Sequence, residues 1–512
     1  MLSNMSTGWK QRLDILRRDA QQKFLEPLHT HSWKATIEQE VESGEYLLIA
    51  AERGGQRHNI ALMYTSATDN AVYKSLAGQV EHIFFNGAPY MLQSFAHGVT
   101  TPVSQADDFH AVLLKWNEAS SDGKFVPATD ATDPIVAHPP QYRMLLSEEP
   151  IQAIWLRLRQ LQSVTLAKKL ITERARRENV LFDKDVVRSK AEGVAYTLRN
   201  ASDYFHARDA RNVSQRILNL YYGSLSFAFA EMLASPTGSK TLVEIENKTK
   251  QGHGLYTVDG LEDGLEHLVV GVISSGFFPA WMKSLGLVVD TIPEGKRKPG
   301  QYIDLAGLSA ASWLRVAQLF ARIPEVSDLF NDIFDEKPGW VTPFGDQLAN
   351  ARQSLFSQKE HATRTYVRFL DDSARLTKED IAAFPGPISE IMEVEPDGAG
   401  RHFRAAVDHV GKKHWQDALQ VHHSPFERQA LILPIFGGVA EYRAICVVLL
   451  YALSIVVRYR PSVWRRVQEG DLDHMRVLIE AFLAVVERVL PEQFLEKVTG
   501  QPVFAKQPGS FF

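Results

Sequence analysis

The sequence predicts a mainly α-helical protein, in which a large helical body follows a small N-terminal α/β domain. Three observations predict it. Short apolar runs rich in β-branched and aromatic residues crowd the first 116 residues. A stretch rich in Asp, Ala, Thr and Pro follows at 117–148. From residue 149 to 512, apolar residues recur mostly at helical spacing.

The elements follow in chain order. Residues 8–24 set Trp9, Leu13, Ile15 and Leu16 among Lys and Arg, the pattern of an opening amphipathic helix. YLLIAA (46–51), IALMYT (60–65) and VEHIFF (80–85) read as strands, and the Gly-Gly of ERGGQRHN suits a hairpin between the first two. TDNAVYKSLAGQ starts on Asp and Asn and nears a glycine at its end, as a capped helix does. FHAVLLKW (109–116) closes this domain as a helix, and 117–148 reads as a linker or extended arm.

Residues 151–178 predict one long helix, and 184–207 and 214–234 two more. The last of these is apolar nearly all round, which predicts a central position. Gly- and Pro-rich loops separate the later helices, with short β-elements expected near 302–305 or 390–394. AICVVLLYALSIVV (444–457) has 14 uncharged residues. A membrane-spanning helix needs about 20, so this run predicts a buried core helix and no membrane partner.

Composition narrows the class. The chain is 45% hydrophobic and 23% charged, as soluble globular proteins are. A net charge of −5 argues against a generally basic nucleic-acid coat protein. One cysteine, Cys446, excludes an internal disulfide and any cysteine-rich zinc module. The N-terminal residues lack the apolar core of a secretory signal, and the expected location is the cytoplasm.

Several segments together resemble a known family. They are NASDYFHA (200–207), ILNLYYGSLSFAFAEML (217–233), GHGL (252–255), SSGFFPAWM (274–282), LFARIPEVSDLF (319–330) and YALSIVVRYRPSVW (451–464). In this order and rough spacing, across about residues 150–500, the chain resembles the YaaC-like proteins of bacteria. The resemblance implies an all-helical intracellular body and carries over no activity; residues 1–149 fall outside it.

Function must then be sought in side chains. Arg199-Asn200…His206 has the Arg-Asn-…-His spacing of HEPN-type ribonucleases, which cut RNA with an arginine and a histidine on one helix. Seven residues turn a helix by about 700°, so Arg199 and His206 share a face about 10 Å apart along the axis. A histidine to exchange a proton and a cation near the phosphate suit acid–base cleavage. The same helix also reads as a packing element, since Val194, Leu198, Ala201 and Phe205 form its core stripe. Arg404…His409 is a second match, but about 500° of turn leaves that pair on different sides. His253, in the Gly-flanked turn GHGL, is another candidate catalytic residue, or else a helix cap. Tyr221 and Tyr222 read as core residues with one hydroxyl seeking a partner.

Nucleic-acid candidates are the cations. Residues 151–190 hold ten Lys or Arg against four acids, among them Lys168, Lys169, Arg174, Arg176 and Arg177. A helix with such a face can lie along a phosphate backbone, or dock an acidic protein. Arg458 and Arg460, beside Tyr459 and Trp464, can hold phosphate and stack a base, or form the rim of a helix end.

No metal or cofactor is expected. Five of the 17 histidines fall between His402 and His423, yet none pairs at i, i+4 on one helix face. SPTGSKT (235–241) lacks the first glycine of a phosphate loop, and Glu294-Gly295-Lys296 lies in a Pro/Gly loop rather than on a strand. The leading expectation is a nucleic-acid-associated component of a bacterial stress or defence system, binding RNA or DNA, with a HEPN-like ribonuclease activity. The alternative is a non-catalytic scaffold that docks a protein partner or a second copy of itself.

Overall fold

The computed structural model describes residues 5–41, 43–53, 55–65, 68–86, 95–120, 143–207, 212–346, 363–396, 400–412, 414–426 and 429–507. The chain divides into two compact units, residues 1–135 and 136–512.

In the first unit, a five-stranded sheet runs in the order β1-β2-β3-β4-β5: Lys34–Glu40, Tyr46–Arg53, Gln56–Met63, His82–Phe85 and Val103–Gln105. β1 to β3 pair antiparallel, whereas β4 pairs parallel to both β3 and β5. The helix Asn70–Leu76 makes the crossover from β3 to β4, and Asp69 caps it by accepting from the Ala71 and Val72 amides. Period-2 alternation gives the sheet two buried faces. Ile60, Leu62 and Phe84 join Phe24, Trp33 and Phe109 on one side, while Ala61, Met63 and Phe85 join Tyr73 and Leu76 on the other. β1 and β5 went unread in the sequence because their outer positions are charged or polar.

The second unit is not the mainly helical body the sequence predicts. It is an α/β mixture with three sheets, the largest six-stranded and antiparallel throughout, in the order β12-β13-β11-β10-β15-β14. Its strands are β10 (Trp340–Gly345), β11 (Arg364–Asp371), β12 (Ile388–Val394), β13 (Arg401–Asp408), β14 (Val421–His423) and β15 (Gln429–Ile432). RTYVRFLD and RHFRAAVD bury Val367, Phe369, Phe403, Ala405 and Val407 but interleave the partly buried Arg364, Arg368, Arg401 and Arg404, so neither forms a long apolar run. The β-element expected near 390–394 lies within β12, whereas 302–305 falls in a 3₁₀ turn, Tyr302–Gly307. β7 (Leu255–Val258), β8 (Val269–Val272) and β9 (Trp313–Arg315) form a second sheet. β6 (Arg143–Leu146), at the end of the expected linker, pairs parallel with β16 (Val503–Lys506) near the other end of the unit.

The helices around these sheets share one core. The expected single helix at 151–178 is two, Pro150–Gln160 and Val164–Arg177, broken at the turn between them. Lys184–Phe205 and Val213–Ala234 pack along each other as a hairpin. Gly223 permits their close approach, since a Cβ there would come within 2.6 Å of the Phe205 ring. Tyr442–Tyr459 and Asp473–Thr499 cover the other sides of Val213–Ala234. Tyr442–Tyr459 is the one described helix long and apolar enough to cross a membrane, but 78% of it is buried inside the unit. Cys446 sits within it at zero exposure.

Candidate nucleic-acid interface

The helix Lys184–Phe205 turns Val194, Leu198 and Ala201 into the core, leaves Tyr196, Arg199 and, at its C-cap, His206 on its outer face, and exposes Tyr204 about 140° around the axis from Arg199. Tyr196 is 53% exposed and Tyr204 38%, large for aromatic rings on so well packed a helix. Arg199 donates from Nη2 to the Gln162 carbonyl at 3.2 Å. His206 stands edge-on to Trp155 at 4.3 Å, so both residues of the candidate pair border the segment 150–162. No contact joins their side chains among the described residues.

The proton on His206 is fixed by its neighbour. Nδ1 lies 2.8 Å from the Ser202 carbonyl oxygen, which can only accept. Nδ1 therefore carries the hydrogen, and in the neutral ring Nε2 keeps its lone pair. His206 is exposed, so that lone pair faces solvent. Its Arg404…His409 counterpart lies not on a helix but on β13 and the turn beyond it. There Arg404 meets Met392, and His409 meets Thr365 and the Lys412 carbonyl.

His253 lies where three segments meet. Positive φ at Gly252 and Gly254, +96° and +81°, bends the turn so that the Gly252 and His253 carbonyls accept the Phe277 and Phe278 amides. The imidazole then faces the hairpin, with Nδ1 2.9 Å from the Tyr221 hydroxyl. Tyr221 has no other described hydrogen-bond partner and burial holds it protonated, its pKa well above the usual value. Its O–H therefore donates to Nδ1, which leaves the hydrogen of neutral His253 on Nε2. Burial, reinforced by the charge of Arg458, lowers the His253 pKa. Tyr451 donates to the Leu255 carbonyl at 2.9 Å, and burial pushes its pKa up to about 12. Arg458 donates to the Tyr222 hydroxyl at 3.2 Å and lies over the Tyr459 ring. Tyr222 stacks on Tyr204, on the last turn of Lys184–Phe205, so this cluster packs against the same helix as Arg199 but on a different side of it.

The cations of residues 151–190 divide into two groups. Arg174 is buried and donates to the carbonyls of Lys497 and Val498, while Arg177 donates to those of Thr499 and Gly500. Together they cap the C-terminus of Asp473–Thr499, where carbonyls lack helical partners. Lys190, fully buried, donates to the Ser235 and Ser239 carbonyls beyond Val213–Ala234, and burial pulls its pKa down to about 8. Lys168, Lys169 and Arg176 are exposed and face solvent. Arg460 is committed to an ion pair with Asp259 at the rim of a recess of about 210 Å³, and Arg466 pairs with Asp263 and Asp471.

The five clustered histidines serve separate places, and no group of His, Cys, Asp or Glu among the described residues could hold a metal ion. His422, at 6% exposure, donates from Nε2 to Glu325 at 2.8 Å, accepts at Nδ1 from Gln493, and stacks on Tyr442. Sequence reading missed this network because its members are nearly 170 residues apart. It missed Tyr196 and Tyr204 as exposed aromatics as well, although both fall outside the core stripe of Val194, Leu198, Ala201 and Phe205.

The segments that carry the resemblance, YYG, GHGL and YALSIVVRYR, thus converge on one cluster. A family model described as YaaC-like Protein matches residues 159–498. The chain belongs to the YaaC-like family. The match lies within the second unit, so the Tyr221–His253–Arg458 cluster and the Arg199–His206 face are both parts of the YaaC-like region. Residues 1–158 of this YaaC-like chain lie outside the match. No curated protein and no solved structure matches it.

Proposed function

We propose that the YaaC-like unit binds single-stranded RNA on the face of Lys184–Phe205 and cleaves it with His206 and Arg199, in the manner of a HEPN-type ribonuclease. What carries the reading is the His206–Ser202 hydrogen bond, which leaves an exposed basic Nε2 on the same helix face as Arg199. Exposed Tyr196, Tyr204 and Tyr459 offer bases stacking surfaces, and Lys168, Lys169 and Arg176 add charge for the backbone. In the reaction, His206 Nε2 takes the proton of a ribose 2′-hydroxyl, whose oxygen bonds to phosphorus as the P–O5′ bond breaks. Water protonates the departing 5′-oxygen, and the hydroxide so formed takes back the proton from His206. Arg199 offsets the charge that gathers on the phosphate. We read the protein as a cytoplasmic component of a stress or defence system in which RNA cleavage is the effector step.

The test is cleavage of a labelled single-stranded RNA. His206→Ala and Arg199→Ala should each slow it by about 10²–10⁴-fold. Equal cleavage by both variants and wild type overturns the assignment of the pair. Absence of RNA binding even at low salt overturns the nucleic-acid reading itself.

A scaffold role is the second reading, and one observation favours it. Leu156, Val164, Leu166 and the 99% exposed Leu181 stand among the free cations of 151–190, a mixture suited to a protein surface. A partner complex that survives high salt and is lost in Leu166→Asp with Leu181→Asp would support it.

A further inference from the structure

We propose that His253, Tyr222 and Arg458 form a phosphate-binding subsite of the YaaC-like unit. The inference deepens the RNA reading and rests on it for the molecule that carries the phosphate.

A donor inventory supports the site. Arg458 spends three of its five N–H groups, on the Ser454 carbonyl, the Ser454 hydroxyl and the Tyr222 oxygen, which leaves two. Tyr222 accepts from Arg458, so its own proton is free to donate. His253 offers Nε2–H, because the Tyr221 hydroxyl occupies Nδ1; Nε2 is neither hydrogen-bonded nor sealed from solvent. All three groups present donors and none presents a free acceptor. No carboxylate contacts any of the three among the described residues, so Arg458 is a half-buried cation without a counter-charge. Half-buried charge of this kind is stabilised by an anion.

Position makes that anion a nucleotide phosphate. Tyr204 stacks on Tyr222 at 5.9 Å on one side, and the 67% exposed Tyr459 ring lies beneath Arg458 on the other. These rings give an adjoining base a stacking surface that a simple inorganic anion would leave unused. Tyr204 also belongs to the last turn of the helix that His206 caps, about 200° around the axis from it.

Two measurements on the full chain test this. Inorganic phosphate, followed through the ring NMR signals of His253, should shift them in the wild type and leave them unmoved in Arg458→Gln. With single-stranded RNA, Arg458→Gln and Tyr222→Phe should raise KM about tenfold with kcat near wild type, and Arg458→Lys should recover part of the loss. Phosphate that leaves His253 unshifted, together with wild-type KM in Tyr222→Phe, overturns the subsite. If phosphate shifts His253 but RNA neither binds nor is cut, the RNA reading fails while the anion site stands. Tyr222→Phe guards against misfolding, since it removes only a hydroxyl.

Discussion

Arg174 Nη1 donates to the Val498 carbonyl at 2.9 Å, across 324 positions of sequence. The most basic stretch of the chain thereby places one of its arginines on the end of the last long helix. Arg174→Ala should lower stability by about 2–3 kcal/mol in urea denaturation, the loss expected when a charged donor to buried carbonyls disappears. Arg176→Ala, on the exposed side, should stay within about 0.5 kcal/mol of wild type while weakening RNA binding. The reverse pattern would show Arg174 to be a surface cation.

Lys190 makes stability rise with pH on the alkaline side. Its folded pKa of about 8 lies below the ordinary lysine value of 10.5. Above pH 8 the folded protein releases a proton that the unfolded chain still holds, so ΔG of unfolding grows with pH, at most by about 1.4 kcal/mol per unit. Between pH 8 and 9.5 the wild type should gain on Lys190→Met. Parallel profiles for the two proteins would refute the assignment.

Acid should act through His253. Burial lowers its pKa, and the charge of Arg458 adds to the effect. Below the ordinary value of about 6.5 the unfolded chain takes up a proton that folded His253 resists, so this contribution to stability is full above that pH and falls beneath it. A thermal-melt series from pH 7.5 to 5.5 should show the decline, made shallower by His253→Gln.

Glu325 and His422 join β14 to the helical core. Glu325 also accepts from Tyr442, and the His422 hydrogen bond keeps its carboxyl below the usual range despite burial. His422→Ala removes a donor from a buried carboxylate and should cost about 3 kcal/mol. Glu325→Gln, which keeps the shape and sheds the charge, should cost less. Equal losses in chemical denaturation would mean that the charge-assisted bond contributes nothing.

Much of the helical frame was legible because periodicity and packing are local. The run at 444–457 was too short to span a membrane and too apolar for a surface, and it forms the buried middle of Tyr442–Tyr459. Tyr221 was read as core with a hydroxyl needing a partner, and His253 supplies it. The six-stranded sheet was not legible, since β11 and β13 interrupt their apolar residues with Arg364, Arg368, Arg401 and Arg404, while β14 and β15 are only three and four residues long and declare themselves through their neighbours.

By itself, then, the sequence determined the family, the helices near 184–207 and 214–234 and the face shared by Arg199 and His206, because helical phase follows from spacing alone. Tertiary structure decided which cations remain for a ligand. Arg174, Arg177 and Lys190 are committed to helix ends, Arg460 is bound to Asp259, and Arg458, beside Tyr222 and His253, meets no carboxylate among the described residues. A residue's charge is written in the sequence; its counter-charge is set by chain segments that meet only on folding.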